Sequence, residues 1–134
     1  MIKGGCMCGS IRFEIDAAPI GAGYCYCRDC QTISGGAPGA VIVFPRIAYR
    51  SVGRVPHEFR SVSDRGTEIV RVFCPTCGTH ISAQNALHDE IIPIRAGVLD
   101  DPSIFRPSAS LWLRSAQPWH MIDRTLACFE TQPA

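Results

Sequence analysis

No stretch of the sequence approaches the roughly 18 consecutive apolar residues of a membrane span, so no spanning helix is expected. Charge of one sign is equally scarce: 13 basic against 12 acidic residues leave a net charge of +1. That balance offers no electrostatic footprint for nucleic acid or for an anionic membrane. No apolar run precedes the first cysteine in MIKGGCMCGS, so no secretory leader is expected. Helical periodicity is rare, and there is no repeat, linker or low-complexity tract. The 134 residues suit one domain spanning positions 1–134.

What the chain has is cysteine, eight in all. Without a leader the expected setting is the reducing cytoplasm, where thiols favour metal over disulfides. Several pairings here would also join residues i and i+2, which strains the bridge. Seven of the eight fall into three groups: Cys6–Met7–Cys8, Cys25–Tyr26–Cys27–Arg28–Asp29–Cys30 and Cys74–Pro75–Thr76–Cys77. Cys128 stands alone in Leu126–Ala127–Cys128–Phe129, an apolar setting that suits a buried thiol.

Between the cysteines the pattern has period two. In residues 10–16 Ile11, Phe13 and Ile15 alternate with Arg12, Glu14 and Asp16, the signature of a half-buried strand. Residues 39–44 form an apolar run ending at Pro45, and residues 68–73 alternate into Cys74. Weaker strands are predicted over 80–83, 90–94 and 110–113. One helical turn is predicted over 29–34, stopped by Gly35–Gly36, and a turn or short helix begins at Asp101–Pro102. Ten prolines and twelve glycines suit many short strands. The expected fold is mainly β, pinned by metal.

Residues i and i+2 on a strand share a face, so Cys6 and Cys8 are expected to present two sulfurs to one ion. Cys74 and Cys77 have the gap of a zinc knuckle, with Pro75 presetting the turn and Gly78 letting the backbone twist back. Four thiolates complete a tetrahedral structural zinc site. Cys25, Cys27 and Cys30 supply three thiolates to a second zinc and leave one corner open, the arrangement of a catalytic site. The alternatives for that corner are Cys128, His57, His80, His88 and His120, of which His80 stands nearest the knuckle in sequence. Asp29 reads as a turn-former inside the ligand run. Arg28, Arg46 and Arg50 are the candidates for holding a substrate carboxylate.

The blocks GGCMCGSIRFEI (4–15), YCYCRDCQTISGG (24–36), FCPTCGTHI (73–81), AGVLDDP (96–102) and SLWLRSAQPW (110–119) together resemble the glutathione-dependent formaldehyde-activating enzymes, which share a domain with centromere protein V. The resemblance covers about residues 4–123. It implies an antiparallel β-tent-like fold and two Zn2+ per chain. Cys6, Cys8, Cys74 and Cys77 would be the structural ligands, and Cys25, Cys27 and Cys30 the catalytic ones. It implies a carbon–sulfur lyase whose partners are a small thiol such as glutathione and a small aldehyde, forming or cleaving an S-hydroxymethylglutathione-like adduct. The alternatives are a zinc enzyme for another small thiol or aldehyde, and a non-catalytic zinc-stapled interaction module.

Overall fold

The alternation that begins at Ile11 folds as the sequence predicts. In the computed structural model, which describes residues 1–133, Arg12–Ile15 forms a strand, β2, with Phe13 and Ile15 fully buried and Arg12 and Glu14 facing outward. It pairs antiparallel with β1 (Ile2–Gly5) and β5 (Tyr49–Ser51) in a three-stranded sheet. A larger sheet of eight strands contains β3 (Gly21–Cys25), β4 (Gly39–Pro45), β6 (His57–Val62), β7 (Glu68–Phe73), β8 (His80–Asn85), β9 (Ile91–Arg95), β10 (Ala109–Leu111) and β11 (Ala127–Cys128). Their order is β11-β10-β3-β4-β9-β8-β7-β6. All pairings are antiparallel except that of β10 with β3 and that of β10 with β11. The fold is therefore mainly β, as expected.

The core lies where the inward residues of both sheets meet. Phe13 and Ile15 of β2 join Ile42 and Phe44 of β4, Ile92 and Ile94 of β9, and Ile81 of β8. Each pair is spaced by two, so the strand period alone delivers both side chains to the same face. Full burial of each such side chain stabilises the fold by about 1.5–3 kcal/mol. Cys6 and Cys74 belong to this same cluster, so one candidate metal site sits at the edge of the core.

The expected single helical turn is α1 (Arg28–Ile33). Gly35 and Gly36 follow with φ of 78° and 108°, which only glycine adopts freely, and they end it. Short 3-10 turns cover Arg46–Ala48, Ala86–His88, Ala96–Val98, Pro102–Ile104 and Leu113–Ser115. Asp101 caps the fourth by accepting a hydrogen bond from the Ser103 N–H. Pro93 lies inside β9, where it has no N–H to give, and the β8–β9 ladder is reduced to the pair Ser82–Ile94. Among the described residues no helix is long and apolar enough to cross a membrane.

Candidate metal centres

The Cys6–Cys8 pair comes together by a different route from the one expected. The two cysteines lie beyond the end of β1 in a turn closed by the Gly9 N–H to the Cys6 carbonyl, 3.0 Å, with Gly9 at φ 81°. The strand premise fails and the pairing survives: the sulfurs stand 3.6 Å apart. Across the chain, Cys8 Sγ lies 3.8 Å from Cys74 Sγ. The knuckle turns as predicted, with the Gly78 N–H bonded to the Cys74 carbonyl at 2.9 Å and Gly78 at φ 76°. The sulfurs of Cys6, Cys8, Cys74 and Cys77 all lie within 4.8 Å of one another.

This donor set fits zinc. Four sulfurs bonded at 2.3 Å to a tetrahedral ion are about 3.8 Å apart, close to the 3.6 Å of Cys6–Cys8 and the 3.8 Å of Cys8–Cys74. Backbone N–H groups also point at the sulfurs: Ile11 at Cys6 (3.2 Å), and Thr76 and Cys77 at Cys74 (3.4 and 3.5 Å). Such donors favour thiolate over thiol. Burial raises the Cys6 thiol, but the Ile11 N–H and the hydrogen bonds from Ser10, Cys8 and Cys74 bring it down to about 7. The Thr79 hydroxyl and backbone, with further help from neighbouring cysteines, bring Cys77 to about 5. All eight cysteines are free.

The second group is built around the start of α1. Cys25 ends β3, Cys27 is the N-cap of α1, and Cys30 is buried in its first turn. The Cys30 N–H donates to Cys27 Sγ at 3.4 Å. The three sulfurs lie within 4.8 Å of one another, and among the described residues no fourth Cys, His, Asp or Glu joins the group. Crowding separates the thiols. Hydrogen bonds from Cys25 and Cys27, then Arg95, drive Cys30 far below the ordinary thiol range, while contacts with Cys27 and Cys30 push Cys25 far above it. Three sulfurs this close cannot all ionise unless a cation sits among them, which is what a divalent metal supplies.

The family model for glutathione-dependent formaldehyde-activating enzymes matches residues 1–115. The chain belongs to that family. Among solved structures, a Rhodobacter sphaeroides protein determined as a structural-genomics target shares the fold, with a TM-score of 0.59 at 20% identity, over 73% of this chain and 87% of that one. No curated protein matched.

Within this member of the formaldehyde-activating family, the remaining candidates fall as follows. Cys128 is exposed on β11, with its thiol donating to the Leu126 carbonyl at 3.4 Å, and it joins neither cysteine group. The apolar neighbours that suggested a buried thiol do not enclose it. His120 is engaged by the backbone on both sides of its ring. Its Nδ1 accepts from the Gln117 N–H at 2.8 Å, so its Nε2 carries the proton donated to the Gly36 carbonyl at 2.7 Å. His57 and His88 are exposed. His80 lies outside the three-sulfur group, but burial, with Arg95 and Arg71 adding to it, holds its pKa down to about 4, and its buried Nε2 has no hydrogen-bond partner among the described residues. It is therefore a neutral imidazole at physiological pH.

Arg46 and Arg50 follow the far end of β4, about 20 Å of strand from Gly39 and the cysteines. Arg46 bonds the Asp89 carbonyl and Gln84, and Arg50 pairs with Glu14 at 2.7 Å. Arg28 bonds Gln31 Oε1 within α1. Asp29 is an ion-pair partner as well as a first-turn residue, meeting Arg71 of β7 at 3.0 Å.

Two residues escaped the sequence reading. Arg95 lies just before the AGVLDDP block, and nothing local marks it. Gln31 lies inside the cysteine block but carries no ligand chemistry. It is almost fully buried, and its Nε2 donates to the Tyr26 carbonyl (2.8 Å) and to the Ser115 carbonyl (2.9 Å), tying the cysteine run to the SAQPW segment. Replacing Gln31 with methionine keeps the volume and leaves two carbonyls without a donor. Each is worth about 1–3 kcal/mol when buried, so chemical denaturation is expected to register a loss of that order. A loss within measurement error would mean that other donors take over both carbonyls.

Proposed function

We propose that the chain is a zinc-dependent carbon–sulfur lyase that joins a small thiol to a small aldehyde, and reverses that reaction, at the Cys25–Cys27–Cys30 centre. Glutathione and formaldehyde are the pair the family name supplies. The observation that carries this reading is the three-sulfur group with no fourth protein ligand among the described residues. The Cys6–Cys8–Cys74–Cys77 group takes the structural role, with a full tetrahedral set and contact with the core. A cytoplasmic setting, which keeps eight thiols reduced, belongs to the same reading.

A zinc ion held there would act as a Lewis acid and lower the thiol's pKa, so that the substrate sulfur is available as thiolate. The chain's own contribution is placement. Cys25, Cys27 and Cys30 would hold the ion, with no fourth protein ligand among the described residues. Gln31 fixes the segment that carries them. In the forward direction the sulfur lone pair forms the S–C bond, the C=O π pair moves to oxygen, and that oxygen takes up the proton the thiol lost. In reverse the hydroxyl proton leaves, the carbonyl re-forms and the sulfur departs as thiolate. The neutral His80 imidazole near Arg71 and Arg95 adds no positive charge against a cation at this centre.

Protein purified without chelator is expected to carry about two zinc ions per chain by elemental analysis. A folded, reduced sample with one or none would remove the two-centre reading. The activity test is exchange NMR on glutathione and formaldehyde. Zinc-loaded protein should accelerate formation and breakdown of S-hydroxymethylglutathione, and removal of the more labile metal should abolish that acceleration. Full metal loading with no acceleration for any of a panel of small thiols and aldehydes would leave the interaction-module reading in its place.

A further inference from the structure

Arg95 ends β9, and its guanidinium does something unusual for a partly buried arginine. Among the described residues it makes no ion pair with a carboxylate. Both terminal nitrogens instead point at one sulfur, Nη1 3.6 Å and Nη2 3.7 Å from Cys30 Sγ. Arg71, the other arginine near His80, is occupied elsewhere, by Asp29 and by the Ser61 hydroxyl at 2.8 Å.

The contact depends on a missing side chain. Arg95 is the register partner of Val41 on β4, and Gly39, two residues away, is the partner of Cys25. The arginine reaches along β4 and crosses Gly39 to meet Cys30. A Cβ at Gly39 would stand 2.1 Å from Arg95 Nη1 and 3.0 Å from Cys30 Sγ. Gly39 has no left-handed φ to explain its presence. Its absent Cβ is the space through which the guanidinium passes.

The charge count gives the arrangement a purpose. A divalent cation held by three thiolates leaves one net negative charge in a partly buried place, and a thiolate substrate makes it two. The same site as three neutral thiols carries none. A fixed guanidinium beside Cys30 therefore stabilises the loaded centre over the empty one, and favours an anionic fourth group over a neutral one. Its planar fork can donate twice to one sulfur, which a lysine ammonium cannot match in geometry.

We propose that Arg95 is a positioning residue of the three-cysteine centre: admitted by Gly39, its guanidinium donates two hydrogen bonds to the Cys30 sulfur, holds it in place as a metal ligand and tunes the centre's hold on its ion. This rests on the reading of Cys25, Cys27 and Cys30 as a metal site. The test uses the full chain loaded with cobalt, whose sulfur-to-metal charge-transfer band reports on the ligand sulfurs. Arg95→Met keeps most of the stem and removes the charge. Gly39→Ala replaces neither a ligand nor a charge and blocks the passage, although its Cβ would also press on Cys30 Sγ. Arg95→Lys keeps the charge and loses the fork.

Outer partners of metal ligands typically tune affinity by about 10–100-fold. Arg95→Met and Gly39→Ala are each expected to weaken retention of one of the two cobalt ions against a chelator by that factor. Each should also move the charge-transfer band to longer wavelength, because the Cys30 lone pairs lose two hydrogen bonds. Arg95→Lys should fall between them and the parent. A role in packing alone would lower the melting temperature and leave the band in place. Unchanged band and unchanged retention in Arg95→Met or in Gly39→Ala overturn the inference, and Arg95→Gln takes the place of Arg95→Met if that variant does not fold. A parent protein that binds only one cobalt overturns the metal reading itself. Two bound cobalt ions with indifferent variants overturn only the role of Arg95.

Discussion

Cys74→Ala is expected to leave no stably folded protein at physiological temperature. Cys74 is fully buried within the core cluster, so its loss is felt as packing as well as ligation. Its sulfur lies 3.8 Å from Cys8 Sγ and accepts from two backbone N–H groups of the knuckle. A metal held by Cys6, Cys8, Cys74 and Cys77 ties the turn after β1 to the turn after β7 across 66 residues. Structural zinc contributes apparent free energies of about 10–16 kcal/mol at neutral pH, while a whole domain is stable by only about 5–15 kcal/mol. Even a fraction of that contribution exceeds what a chain of this size can lose. A thermal melt of Cys74→Ala, set beside the parent with and without chelator, makes the measurement. The variant and the chelated parent should both lack a cooperative transition. A transition within a few degrees of the zinc-loaded parent would mean that the core stands without this site.

How much of this was legible in the sequence depends on the kind of signal each residue carries. β2, β7 and the helical turn before Gly35–Gly36 were visible because burial imposes period two on strands and glycine marks the stop, and β4 because its short apolar run ends at a proline. β6 was not, because His57–Val62 is an edge strand with nearly every residue exposed, so no face of it is selected for apolar side chains. β3 hides for another reason: Gly21, Ala22 and Gly23 carry too little side chain to show a period, and Gly23 backs directly on Ala109 of β10. The cysteine groupings were legible because ligand spacing is local. The local geometry was not: a turn, rather than a strand, pairs Cys6 with Cys8. Arg95 and Gln31 were illegible because their partners lie 65 and 84 residues away, at Cys30 and Ser115. Trp112, at φ 60°, is a left-handed residue that no sequence rule would choose, and its indole N–H bonds Gln132 at 3.0 Å.

Substitution at Cys27 is expected to separate chemistry from stability in the opposite sense to Cys74. Cys27 is both a sulfur of the three-cysteine group and the N-cap of α1, where its side chain accepts from the Cys30 N–H. Alanine would remove both functions, and loss of a cap alone destabilises by about 1 kcal/mol. Cys27→Ser is the cleaner probe, because a hydroxyl caps well and ligates zinc poorly at neutral pH. The group would drop to two thiolates, too few to retain the metal against bulk chelators, and one zinc per chain should be lost. Adduct formation should fall to the uncatalysed rate, a larger change than any single donor around the site can cause. The melt should move little, because the Cys6–Cys8–Cys74–Cys77 group and the shared core are untouched. Metal content, exchange NMR and a thermal melt on one preparation give all three answers. A melting loss for Cys27→Ser greater than that for Cys74→Ala would exchange the two roles, making the three-cysteine group the structural clamp and sending the search for chemistry to the other centre.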